Sequence, residues 1–589
     1  MLKEKLLLKS SQALQNFRHS LAYIDALPQL TVLGLLIGAF TGLIIVAFRF
    51  LIDWPLGFIL PGDSDNFEAL SPLTRSVCIF AGTLSLGVIL FLLDKNRRDV
   101  GVAHVLDRLH NFQGYMPRSN WLWQFCGALI CMLSGQSVGR EGPAVHMGAG
   151  AASQLAQWLR LPHNSMPTII ACGVAAAISA CFDTPMAGVI FAMEVIVLEY
   201  TIVGFVPVIL ASVMGTVISR ALLGETLHFD VQTASLGSLL ELAYLIPLAI
   251  IISLCSASYI KLHILTFRFR SLPIFLRLQI AGALTAAVAW FVPQIMGLGY
   301  DTIDQAVAGQ LAVSILLLIA FSKLLVTPIV VALGVPGGMI GPCLIIGACI
   351  GGSLATALHG FMPEANINIA FYVFIGMVAM MAATLNAPLA ALVAVLELSY
   401  NPNIIFPAML VIVFACVTTR HAFKLKSIFV EQLDHTNRAL DFRQTDQALK
   451  KVGVRSLMSR SFVTCAQFCD YEEAKKIVAK NPKWIVVEAL NNKYALPAAD
   501  LAAYLEEAPV EILSLEQDID LMEIPARRQN LAAVHERANL LEAIDTLKTK
   551  GTQILYVTRS GVPSLGDVIG ILTSDNIENF YQPKYFSNR

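Results

Sequence analysis

The 589-residue chain is 56% hydrophobic and only 14% charged, and its 41 basic and 42 acidic residues leave a formal net charge of −1. A mean hydropathy of +0.66 excludes a soluble globular protein of this length. The near-neutral balance excludes a polyanion-binding surface, so lipid is the expected surrounding and nucleic acid is not an expected partner.

Residues 1–28 form a basic amphipathic segment in which Lys3, Lys5, Lys9 and Arg18 precede the first apolar run. No apolar core leads into a small-residue cleavage site, so the segment reads as a retained cytoplasmic start rather than a signal peptide. Leu30–Phe48 and Val77–Leu93 follow. Each is long enough to cross the ~30 Å hydrocarbon core as a helix. Lys95, Arg97 and Arg98 then return a basic cluster to the starting side. Apolar segments continue to about Phe414, cut by Gly and Pro at Gly139–Pro143, Asp183–Pro185, Gly334–Pro342 and Asn386–Pro388. Irregular backbone at membrane depth is tolerated only where protein encloses it, so these breaks point to a lined cavity.

The breaks repeat. GREGPAVHMG (Gly139–Gly148) and GMIGPCLIIG (Gly338–Gly347) share the spacing G-x-x-G-P-x-x-x-x-G. Each is followed by a second matching stretch, Gly173–Glu194 and Gly376–Glu397, with Gly, Pro and Glu in the same register. Two ordered matches about 200 residues apart divide the membrane region 29–433 into homologous halves, about 29–225 and 236–433. Duplicated transporters hold their substrate where the repeats meet. After Leu433 a polar linker, 434–453, leads into a charged, mixed α/β region, 454–589, best marked by QILYVTRSG and DVIGILTSDNIENF.

GREGP and GMIGP read as helix starts inside a cavity, where unpaired N–H groups and the positive end of the helix dipole make an anion site. Pro143 and Pro342 suit a first turn, which needs no N–H at that point. Glu141 stands out because its carboxylate is itself an anion that can occupy the site it guards, and protonation should release it. The plainer reading of Glu141 is a cap or a pair with Arg140, and Arg140 reads as a loop-orienting or snorkelling cation.

GREGP, FDTPMAGVIFAMEV and GGMIGP, in that order, resemble the three landmark regions of the CLC chloride channels and chloride/proton antiporters, over about Leu30–Leu433. The resemblance implies an all-α polytopic membrane domain, a CLC-type inverted repeat of two helical halves with broken helices meeting at the midplane. It also implies a homodimer in which each subunit has its own anion path, and a match of Glu141 to the family's external gating glutamate. Departures bear on mechanism. The family's central-anion serine aligns with Val100 in DVGVA, and Phe429 in SIFVEQL stands at the family's tyrosine. With both hydroxyls lost, coordination is expected from backbone around Gly101, Gly338, Met339 and Ile340, beside Arg140 and Gly142 of the GREGP turn. The family's internal proton glutamate aligns with Val195, which favours a passive channel, whereas Glu194 and Glu199 nearby leave proton delivery open. Exchange of chloride for protons is the expected activity, and a gated chloride channel the alternative.

The region 454–589 resembles a small α/β CBS pair, Val454 to about Glu507 and about Ile524 to Pro583. GILTSDN implies a nucleotide contact through Thr573, Asp575 and Asn576, while the first module lacks the threonine. An adenine nucleotide is thus set against a purely structural, dimer-bracing role, and no other cofactor is expected. The expected setting is the inner cell membrane, multi-pass, with both termini cytoplasmic.

Four features are set aside. GQSVG (Gly135–Gly139) fits a nucleophile elbow, but WQFCGALICML before it reads as a membrane helix rather than a strand, so no enzyme is expected. The Cys465/Cys469 pair is not spaced as a metal or redox site. His146, five residues after Glu141, reads as a packed helix residue with a proton relay as the alternative, and Lys323 as a snorkelling side chain or a cap on a buried carbonyl.

Overall fold

The computed structural model describes residues 15–22, 26–61, 65–94, 97–200, 202–224, 241–361, 367–440, 448–489, 492–507, 518–560 and 566–581. Lys3, Lys5, Lys9, Lys95, the seam between the halves, residues 441–447 of the linker and Pro583 lie outside the described residues. The chain divides into two compact units.

Among the described residues, the regular elements of the membrane unit are all helices. In the first half run α1 (Leu27–Ile59), α2 (Pro72–Leu92), α3 (Val102–Asn111), α4 (Arg118–Leu133), α5 (Glu141–Trp158), α6 (Met166–Phe182), α7 (Pro185–Phe191) and α8 (Ile202–Leu223). In the second run α9 (Leu242–Thr266), α10 (Ile274–Phe291), α11 (Tyr300–Val307), α12 (Val313–Leu333), α13 (Ile340–Phe361), α14 (Ile369–Leu385), α15 (Pro388–Ser399) and α16 (Ile405–Val417), and α17 (Ile428–His435) closes the unit. Among the described residues, nine helices are long and apolar enough to cross a bilayer.

The order α1–α8 recurs as α9–α16, and the punctuation recurs with it. Asp183 and Asn386 both take the left-handed conformation, with φ of 60° and 53°. A proline at the first helical position follows each, Pro185 opening α7 and Pro388 opening α15. The close crossings recur as well. A Cβ on Gly148 would lie 2.3 Å from the Gly173 carbonyl oxygen, and one on Gly347 would lie 2.2 Å from that of Gly376. Only glycine permits α5 to meet α6, and α13 to meet α14, at that distance. The four interruptions expected from sequence all fall between helices, at the α4–α5, α6–α7, α12–α13 and α14–α15 boundaries.

The halves interlock by exchanging equivalent groups. Gly139 and Gly338 form a two-way backbone bridge, 2.8 Å from Gly139 N–H to Gly338 O and 2.7 Å in reverse. Glu194 accepts from the first N–H groups of α15, at Leu389 (3.2 Å) and Ala390 (2.7 Å). Glu397 accepts from those of α7, at Met186 (2.8 Å) and Ala187 (2.7 Å). Each carboxylate satisfies orphan donors and meets the positive end of a helix from the other half.

The second unit repeats a β-α-β-β-α order. β1 (Phe462–Ala466), α18 (Tyr471–Ala479), β3 (Trp484–Ala489), β4 (Asn492–Pro497) and α19 (Ala498–Glu507) make the first copy. β6 (Gln529–His535), α20 (Leu540–Lys550), β7 (Ile554–Thr558), β8 (Val568–Thr573) and α21 (Ser574–Tyr581) make the second, and β2 (Phe468–Cys469) pairs with β5 (Ile519–Asp520). In each copy the first two long strands are parallel and the last pair antiparallel, and Tyr494 opposite Asn530 joins them into one sheet ordered β1-β3-β4-β6-β7-β8. Alternation along the strands buries Ile485 and Val487 in one core and Leu555 and Val557 in the other. The β-run, turn, β-run and helix start read from QILYVTRSG and DVIGILTSDNIENF are β7, β8 and α21.

Candidate functional site

Glu141 is the first residue of α5 and is fully buried. Its carboxylate does not cap its own helix. One oxygen, Oε2, accepts from the Gly341 N–H at 3.0 Å, on the first turn of α13 in the other half. Oε1 accepts from the Tyr300 hydroxyl at 2.8 Å, at the head of α11. A Cβ on Gly341 would lie 2.9 Å from either carboxylate oxygen, so glycine there lets the acid reach the helix end. A side-chain carboxyl thus occupies the α13 N-terminus, where unpaired N–H groups and the helix dipole favour negative charge.

Two cavities approach this carboxylate through its neighbours in sequence. One, of about 150 Å³, is lined by Val100, Gly101, Gly142, Gly338, Met339 and Phe429, together with His104 and Gln124. It collects six of the expected anion-binding residues, drawn from four separated segments. Arg98, Arg270 and Arg438 also line it, with Asp99, which pairs with Arg438 at 2.9 Å, leaving an excess of positive charge in its lining. The other, of about 280 Å³, is lined by Arg140 and Tyr300 with Arg49, Asp53, Asp65 and Asp301. Glu141 stands in the chain between Arg140 on the second cavity and Gly142 on the first.

Several expected groups have other partners. Arg140 Nη2 donates to the Cys181 carbonyl at 3.3 Å, and its guanidinium lies 5.3 Å from the Tyr300 ring centroid, so it holds the turn and the tyrosine. The Gly338 N–H, expected to coordinate the central anion, is engaged by the Gly139 carbonyl in the bridge between the halves. The Gly101 N–H faces His146 Nδ1 at 3.3 Å. Met339 and Ile340 stand at the start of α13, where helix geometry supplies no acceptor for their N–H groups. Ile340 lines a separate apolar pocket with Phe182 and Leu344. Glu194, expected either at a solvent-facing helix end or in proton transfer, accepts from the first N–H groups of α15. Lys323 donates to the Ile295 carbonyl at 3.2 Å, in line with the carbonyl-capping reading.

Three contributors went unseen in the sequence. Tyr300 follows a Gly-Leu-Gly turn that carries no special mark, and its role appears only when α11 is folded against α5. Asp65 accepts from the N–H groups of Leu298 (2.8 Å), Gly299 (2.5 Å) and Tyr300 (3.1 Å), fixing the start of α11 and so the tyrosine hydroxyl. Tyr259, buried in α9, donates to the Met339 carbonyl at 3.2 Å and braces the turn before α13.

The voltage-gated chloride channel family model matches residues 80–420, which include both glycine-proline turns and both carboxylate clasps. The chain belongs to this family. Among CLC relatives, a putative chloride channel protein ClcB-like of Ralstonia nicotianae is 27% identical over 420 residues, covering 68% of this chain and 95% of the relative. The H(+)/Cl(-) exchange transporter ClcA of Yersinia pseudotuberculosis is 26% identical over 397 residues, covering 64% of this chain and 81% of the relative. In fold, the chain resembles the crystal structure of a eukaryotic CLC transporter, with TM-score 0.57 and 16% identity, covering 94% of this chain and 99% of that one. As a CLC protein it is a membrane ion-transport protein, with a small α/β region after its helical domain.

In that region the expected nucleotide residues meet one another. Thr573 Oγ1 donates to Asn576 Oδ1 at 2.6 Å, while the Asn576 N–H donates back to Thr573 Oγ1 at 3.2 Å. The pair closes the N-terminus of α21 around Asp575.

Proposed function

We propose that this protein moves chloride across the membrane in exchange for protons, with Glu141 as the gate. One observation carries the reading: the carboxylate sits on the Gly341 N–H and the Tyr300 hydroxyl, in the place a halide would take. Ionised, it competes with chloride for the α13 N-terminus. Protonated, it loses the charge that holds it there and yields the place. Alternation between these states ties passage of an anion to gain or loss of a proton.

A passive chloride channel is the second reading, and a specific observation favours it. Val195 offers no proton-carrying group, and both Glu194 oxygens hold backbone N–H groups of α15. Purified protein in liposomes separates the two. A chloride gradient that drives uphill proton movement supports exchange, and chloride dissipation without proton flux supports the channel. Glu141→Gln should abolish proton movement while leaving chloride passage, and unchanged proton pumping in that variant contradicts the gate.

The remaining parts of the reading follow from the family and from surfaces. Two copies pair through the faces of α7, α8, α15 and α16, where Met186, Val213, Leu389 and Phe406 are exposed. The chain lies in the inner cell membrane with both termini in the cytoplasm, consistent with Arg97 and Arg98 beyond α2. The Thr573–Asn576 closure supports a bracing role for the α/β region over adenine-nucleotide binding. A melting shift on adding ATP or AMP would reverse that preference.

A further inference from the structure

The wall of the Phe429 cavity holds polar side chains that the gate does not use. His104 on α3 and Gln124 on α4 line it, and His146 on α5 stands behind Gly101. His104 and His146 are buried, with ring centroids 5.1 Å apart and edge to face. His146 Nδ1 lies 3.3 Å from a donor, the Gly101 N–H, and also 3.3 Å from an acceptor, Gln124 Oε1. The Gln124 amide is held in this orientation because its Nε2 donates to the Pro336 carbonyl at 2.9 Å. One ring nitrogen can serve only one of these neighbours. Neutral with its proton on Nε2, the ring accepts from Gly101 at Nδ1; a second proton makes it an imidazolium that donates from Nδ1 to Gln124, and Gly101 loses its acceptor.

Gly101 caps α3 with φ of 87° and lines the cavity, so the N–H set free lies at a helix start. His146 Nε2 and both ring nitrogens of His104 are buried and have no protein partner among the described residues. We propose that His146 is a second proton-binding group of the transport site, and that a proton on Nδ1 frees the Gly101 N–H to bind an anion in the Phe429 cavity. The proposal rests on that cavity being the anion path. A buried imidazolium is stable only when paired, and the arriving anion is its partner, so proton and anion enter the site together.

The groups that act on the ring are few. His104 on α3 faces it, with Arg108 and Arg438 acting in turn on His104, and the same helix carries Asp107, 3.5 Å from Arg438, and His110, whose Nε2 lies 3.0 Å from the Ile196 carbonyl oxygen. Among the elements packed on α5, α4 offers Gln124 and, away from the ring, Arg118 bound to Gln154. The titratable residues of α6 are Cys172 and Cys181, and those of α13 are Cys343, Cys349 and the terminal His359. On α5 itself Glu141 is directed to Gly341 and Tyr300.

Full-length protein carrying Glu141→Gln, in which the gate no longer titrates, provides the test. Isothermal titration with chloride at pH 5.5 and 7.5 should show binding about tenfold tighter at the lower pH. Adding His146→Asn, whose amide keeps a polar atom near the Nδ1 position without titrating, should erase the difference. Gln124→Glu, which supplies a carboxylate for the imidazolium, should move the midpoint of the pH dependence up by about one unit, a shift that a packing role for His146 does not produce. Affinity independent of pH in the Glu141→Gln protein, or a pH dependence that survives His146→Asn, overturns the proposal. Liposomes that carry no chloride would instead defeat the transport reading, while the titration still decides the role of His146. Absence of chloride binding at both pH values overturns both.

Discussion

The two halves of the membrane unit share a backbone and differ in chemistry. GREGP and GMIGP open equivalent helices, and Gly139 and Gly338 bridge each other, yet Glu141 in one half corresponds to Ile340 in the other. The first half supplies the acid and the second supplies the helix end that receives it. Other functional side chains follow the same rule: Arg140 corresponds to Met339, and His146 to Ile345. By contrast Glu194 and Glu397, present in both halves, do the same job twice, each holding the other half's helix. Duplicated residues therefore build the scaffold, and residues found in one half alone carry the chemistry.

The most drastic way to break this comparison is at the helix crossings. Gly148→Ala and Gly347→Ala each push a methyl group against a carbonyl oxygen of the neighbouring helix, at 2.3 and 2.2 Å, where neither backbone can give way. Both should lose folded protein, measured as monodisperse material after detergent extraction, and to a similar extent. Normal yield from one with collapse of the other would show that the halves are not equivalent scaffolds.

Removal of the donor unique to the second half comes next. Tyr300→Phe takes one hydrogen bond from the buried carboxylate, about 1.5–3 kcal/mol for a bond to a charged group. The gate should release more readily, raising chloride flux about tenfold, and weaken coupling to protons. Flux equal to that of the wild type would remove Tyr300 from the gate.

The paired clasps sharpen the comparison. Glu194→Gln and Glu397→Gln should each cost about 0.5–2 kcal/mol, as for loss of a helix cap, seen as matched drops in melting temperature. Proton movement should survive in both. A selective loss of proton movement in Glu194→Gln would return that residue to the transport chemistry.

An effect that appears only as pH changes is expected at Asp65, in the connection between α1 and α2. Burial, and then Asp301, push its carboxyl up to about 7. The native state thus keeps a proton that the unfolded chain releases near pH 4, so this group's contribution to stability is full below about pH 4 and is lost as pH rises through about 7. Asp65→Asn should flatten the fall in melting temperature between pH 5 and 8, and an unchanged slope would contradict it.

The halves, their breaks and the acid at the GREGP turn were legible in the sequence because Gly, Pro and an ionisable group inside apolar runs each have few physical uses. The α/β region was legible through two short β-runs, β7 and β8, with a turn between them and a helix start after the second. The partners of the acid were not. Which helix end Glu141 reaches depends on how the halves cross; Tyr300 meets it, and Asp65 fixes the start of α11 behind that tyrosine, from segments with no motif of their own. The clasp made by Glu194 was hidden for a related reason: a carboxylate at a helix end looks the same in sequence whether or not it caps a distant helix. Gly338 misled because its N–H could serve an anion or the opposite loop, and only the fold decides.

The central claim is that the Glu141 carboxylate and a halide compete for one place at the α13 N-terminus. Anomalous diffraction from bromide-soaked crystals at neutral pH tests it directly. Bromide density beside the Gly341 N–H should appear in the Glu141→Gln protein and be absent where the wild-type carboxylate sits. Density at that place in both proteins, or in neither, would contradict the account.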